Sequence, residues 1–165
     1  MKDLTLSLAL RPYLAEWLTT RFGRPVRFPV RSYENLLLHS LVVRGRVRGV
    51  RCADEAPPGK RVVHIVLTDS SRRRPEYWHV LTRRASQDMA RALERLFRLQ
   101  LWSESAPLLF RPSGLNAGLD EWCRRQGIAI EHREGVRQKF YRMRKAYEAQ
   151  GIKIGQKRCH DGGKK

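Results

Sequence analysis

Lysine and arginine outnumber aspartate and glutamate by 34 to 16 in a chain of 165 residues, a formal charge of +18. Self-repulsion on that scale works against any compact fold, and a polyanionic partner relieves it. The chain nevertheless carries enough apolar material to fold. Its hydrophobic content is 41%, with four Trp, five Phe and five Tyr spread along it, a composition unlike that of a disordered polyelectrolyte. No run approaches the roughly 18 apolar residues that a spanning helix requires. The expectation is a globular protein, without membrane contact, whose partner is nucleic acid.

Cys52, Cys123 and Cys159 form no CxxC pair, so neither a disulfide framework nor a zinc site is expected. The N-terminal segment MKDLTLSLALRPYL is a poor secretory signal, because Asp3 and the Arg11-Pro12 stop interrupt it. A cytoplasmic setting with reduced thiols follows, nucleoid-associated if the partner is DNA.

Local pattern predicts an α+β chain. Residues 4–10 alternate Leu with small and polar residues, as a half-buried strand does. Pro12 opens a helix with Tyr13 and Trp17 inward, and Gly23 ends it. Val26 to Val30 is short and extended. Ser32 caps a second helix over 33–42, with Tyr33, Leu36, Leu37 and Leu41 inward. In VRGRVRGVR, Arg44, Arg46 and Arg48 share one face of a basic edge strand or a flexible arm. Residues 62–67 and 77–81 read as two strands of a hairpin, with Arg72, Arg73 and Arg74 at its tip. A helix starts at Ser86, with Met89, Leu93, Leu96 and Phe97 inward and Glu94 and Arg98 on its outer face. Pro107, Pro112 and Gly114 mark a boundary. The chain is thus divided into an α+β body (1–112), a helical unit (113–152) and a basic tail (153–165).

Within the helical unit, Leu115, Leu119 and Trp122 line a first helix that Gly127 ends. A second helix over 132–150 turns Val136, Phe140, Met143 and Tyr147 inward. Arg133, Arg137, Gln138, Tyr141, Arg142, Arg144 and Lys145 make its other side almost uniformly cationic. Two helices joined through Gly and a short apolar turn outline a helix-turn-helix. The string GIAIEHREGVRQKFYRMRKAY resembles the recognition helix of helix-turn-helix regulators, including the DNA-reading region of sigma factors; the likeness covers residues 115–152. It implies that the second helix enters the major groove, with Arg133, Arg137, Gln138 and Tyr141 near base edges. Arg142, Arg144 and Lys145 would then touch phosphate.

Catalytic patterns are missing. His39, His64, His79, His132 and His160 form no HxxxH pair, and there is no phosphate-cradling loop, no GxSxG and no DxD or DxE pair. Neither an enzyme nor a cofactor is expected. The favoured reading is a double-stranded DNA-binding accessory or regulatory protein, of the kind carried by phages and plasmids. Two alternatives stay open at this point. One is an RNA-binding module built on Arg44, Arg46, Arg48, Tyr77 and Trp78. The other is an assembly protein whose cationic face meets an acidic partner, in a homodimer or a larger complex.

Overall fold

A computed structural model describes residues 4–45, 56–69, 74–111 and 114–154. Strand β1 (Thr5–Leu10) leads into helix α1 (Pro12–Phe22), then α2 (Tyr33–Leu41), β2 (Val43–Arg44), β3 (Arg61–Val66) and β4 (Trp78–Val80). Three helices follow: α3 (Arg83–Ser105), α4 (Leu115–Arg125) and α5 (Ile130–Ala149), with a 3-10 turn at Ala106–Phe110 after α3. The class is α+β, mostly helical, with two small antiparallel sheets.

Alternation along β1 has its expected consequence, since Leu6, Leu8 and Leu10 are buried. They lie opposite Ile65, Val63 and Arg61 of β3 in antiparallel register. The hairpin expected between 62–67 and 77–81 does not form. One edge of β3 is taken by β1, and the other is met by Val26, which exchanges backbone hydrogen bonds with His64 and Val66. With both edges used, β4 pairs instead with β2. Gly45 continues that ribbon, where an added Cβ would lie 2.6 Å from the His79 ring.

Helix signals hold with local corrections. Pro12 and Gly23 bound α1 as expected, and Ser32 Oγ accepts the Asn35 N–H to cap α2. The inward face of α2 differs from expectation. Leu38 and Asn35 are buried, whereas Tyr33 and Leu36 are exposed. Asn35 sets that phase by donating to the Val30 carbonyl and accepting from Thr68 Oγ1. Helix α3 begins one turn before Ser86, capped by Thr82 Oγ1 on the Ala85 N–H.

Phe97, fully buried on α3, gathers Tyr13, Trp17 and Trp122 at ring separations of 5.2–5.7 Å. Helices α4 and α5 join the same core through Leu119, Trp122, Val136 and Phe140. Apolar burial on either side of residue 112 is therefore continuous. The tail beyond Ile154 and residues 112–113 lie outside the described residues.

One carboxylate fastens these layers. Glu16 on α1 is only 6% exposed. Its Oε1 accepts from Arg61 of β3 at 2.8 Å, and its Oε2 accepts the Ala129 N–H at the mouth of α5 at 3.0 Å. His132 Nε2 stands 3.6 Å from Oε1. Glu16→Ala removes the acceptor of the Ala129 amide at the start of α5 and the ion pair with Arg61, so a loss of about 0.5–2 kcal/mol is expected. Urea unfolding checks it: the midpoint should fall with an unchanged slope.

Candidate nucleic-acid interface

Helices α4 and α5 are joined by Gln126, Gly127, Ile128 and Ala129. The second helix thus starts two residues before the expected His132, because the His132 N–H is already spent on the Ala129 carbonyl. Gly127 (φ +70°) donates to the Arg124 carbonyl and Ile128 to that of Cys123, the paired bonds of a Schellman ending. Ile128 and Cys123 are both buried in the core, supplying the apolar contact that accompanies the motif. Burial pushes the Cys123 thiol up to about 11, so it is protonated at neutral pH and a poor nucleophile. A Cβ on Gly127 would lie 2.0 Å from Thr20 Oγ1. Gly127→Ala is therefore expected to destabilise by about 1–3 kcal/mol, from left-handed strain plus the clash with α1. Thermal melting measures this.

The cations expected to read DNA on α5 are mostly engaged within the protein. Arg137 pairs with Glu134 at 2.6 Å and stands 3.8 Å from Asp120. Gln138 donates to Glu134, Arg133 to the Ile128 carbonyl, and Tyr141 to Asn116 of α4. Arg144 pairs with Glu148. Arg142 and Lys145 are exposed and have no partner among the described residues. The outward stripe of α5 runs from Glu131 and Glu134 through Gln138 to Arg142 and Lys145. Acid at the N-terminus and base toward the C-terminus complement the helix dipole, so the face is graded in charge rather than uniformly cationic. Tyr147, expected inward, is 39% exposed and stacked on Trp102.

Elsewhere, Arg44 lies 5.9 Å from the centre of the Tyr77 ring, and Arg74 is exposed beside the same ribbon. Arg46, Arg48, Arg72 and Arg73 fall outside the described residues.

Another cationic feature of the described residues lies on none of these. A cleft of about 800 Å³ runs along one flank of α3. Arg11 stands at the start of α1, Lys60 ahead of β3, Arg83, Arg91 and Arg98 on α3, and Lys139 on α5; all six line it, against the single carboxylate of Glu94. Leu10, Leu14, Pro57 and Ala90 give it apolar wall. Glu94, expected on the outer face of its helix, instead accepts from Lys139 at 2.7 Å and from the Tyr13 hydroxyl. Burial, reinforced by the Glu94 carboxylate, raises the Tyr13 hydroxyl above its ordinary range, which keeps it a hydrogen-bond donor. Arg91 pairs with Asp88. Arg11, Lys60, Arg83 and Arg98 have no carboxylate partner among the described residues. Sequence spacing carries part of this signal, since Arg91 and Arg98 are seven apart on one helix. Their meeting with Arg11, Lys60 and Lys139 is a product of packing.

Among the described residues, no three His, Cys, Asp or Glu side chains converge as metal ligands, and no helix is long and apolar enough to cross a membrane. Comparison with protein-family models, curated proteins and solved structures gives no match.

Proposed function

We propose that the protein is a nucleic-acid-binding accessory factor, with DNA as its first ligand, that grips the sugar–phosphate backbone in the cleft beside α3. The observation carrying this reading is the concentration of six cations around one concavity with a single acid in it. A cleft with low-dielectric walls focuses the field of its charges, and backbone phosphates neutralise them while releasing counterions. The helix starts bordering it add to the field, because neither α1 nor α3 has an acid in its first turn, and Arg83 and Arg84 open α3. Cations there oppose the helix dipole unless an anion stands between them.

A second reading keeps α5 in a duplex major groove. The four-residue turn at Gly127 and the exposure of Gln138, Arg142 and Lys145 favour it.

Binding should weaken by ~10³–10⁵ between about 50 and 200 mM salt if ~6–10 phosphates are neutralised. Arg83→Ala with Arg98→Ala is expected to leave stability within about 1 kcal/mol. The same pair should flatten the salt slope by about one unit per lost phosphate contact. Arg142→Ala with Lys145→Ala should do so only if α5 docks. Titration of duplex DNA, single-stranded DNA and structured RNA across a salt series reads all three effects. A flat salt response would sink both readings.

A further inference from the structure

Two facing rows of side chains lead out of the cleft. On α3, Ser86, Ala90, Glu94 and Arg98 recur every four residues and line it; the next member of that row is Trp102. On α5, Lys139 lines the cleft and heads the row Lys139, Met143, Tyr147. The rows meet at both ends. Lys139 pairs with Glu94 at 2.7 Å, and the Tyr147 ring stacks on Trp102 at 4.7 Å and 13°. Eight residues separate the contacts on each helix, about 12 Å at 1.5 Å per residue. The aromatic stack therefore continues the cationic wall.

Phe140, fully buried 5.4 Å from Trp102, already anchors α5 to α3 there. Tyr147 adds a ring that is covered by Trp102 on one face while the residue stays 39% exposed. An aromatic face next to a backbone-gripping cationic path is the arrangement that holds single-stranded nucleic acid, because an unpaired base offers a π-face to stack on and a base inside a duplex does not. We infer that the cleft and the Trp102–Tyr147 stack together form a path for an unpaired strand, with a base stacked against the exposed Tyr147 side chain. This rests on the backbone-gripping cleft proposed above and names the ligand it takes.

The test compares a short oligothymidylate with an abasic strand of equal length and charge. The unaltered protein should prefer the thymidylate by roughly 5- to 150-fold, the range one base–aromatic stack supplies. Tyr147→Leu should erase that preference and leave abasic binding unchanged, while Tyr147→Phe retains it. Thermal melting verifies that both variants fold, and the comparison on the unaltered protein needs no variant. Arg83→Ala with Arg98→Ala should weaken both ligands alike. Equal affinity for the two strands, with both weakened by the arginine changes, would overturn the stacking site and leave the cleft standing. Indifference of both strands to the arginine changes would overturn the cleft itself. A duplex of the same length that competes as well as the thymidylate strand would overturn the assignment to unpaired nucleic acid.

Discussion

Glu16 is the contact on which the arrangement of layers depends. A carboxylate this deep is tolerated only when its oxygens are matched, because an unpaired buried charge is far too costly. Its matches come from β3 (Arg61) and from the backbone at the start of α5 (Ala129), while the residue itself belongs to α1. Three distant stretches of chain are thereby held to one small volume. Gly127 sits at the same junction, and only the absence of a side chain lets the α4–α5 turn lie against Thr20. The start of α5 is thus fixed by a charge and by a close approach, both to α1.

Once α5 is held there, the excess of positive charge divides into two populations. Arg137 and Arg144 are paired with acids on their own helix, and exposed pairs of this kind contribute only modestly to stability. Lys139 is turned inward onto Glu94, where Tyr13 also donates. Four cations left without carboxylates, Arg11, Lys60, Arg83 and Arg98, gather around the cleft beside α3, while Arg142 and Lys145 stay exposed on α5. A total of +18 therefore describes the surface poorly; which cations remain available to an anion depends on which acids the fold brings to them.

Short-range signals in the chain were legible where the physics is short-range. The Pro12 start and Gly23 stop of α1, the Ser32 cap, the Leu alternation of β1 and the Gly127-Ile128 ending of α4 each concern atoms a few residues apart. Errors fell where a distant group intervened. Asn35 rotates α2 through bonds to Val30 and Thr68 and leaves Tyr33 and Leu36 exposed. Val26 occupies the edge of β3 that a hairpin with residues 77–81 would have used. Glu94 reads as a solvated outer residue in the helical pattern, yet it is the acceptor for side chains 81 positions before and 45 after it.

By itself the sequence determined the α+β class, most helix and strand positions, the Gly127 ending of α4, and a net charge of +18. Each follows from local dihedral preference, from side-chain periodicity or from simple summation of charge. Only the tertiary structure decided which strands pair, which cations are neutralised internally, and that Arg11, Lys60, Arg83, Arg91, Arg98 and Lys139 share one cleft with Trp102 and Tyr147 stacked beyond its end. The physical reason is that strand edges, ion pairs and concavities are properties of groups brought together across the chain. Their energies depend on distance and burial in space, quantities that spacing along the sequence does not contain.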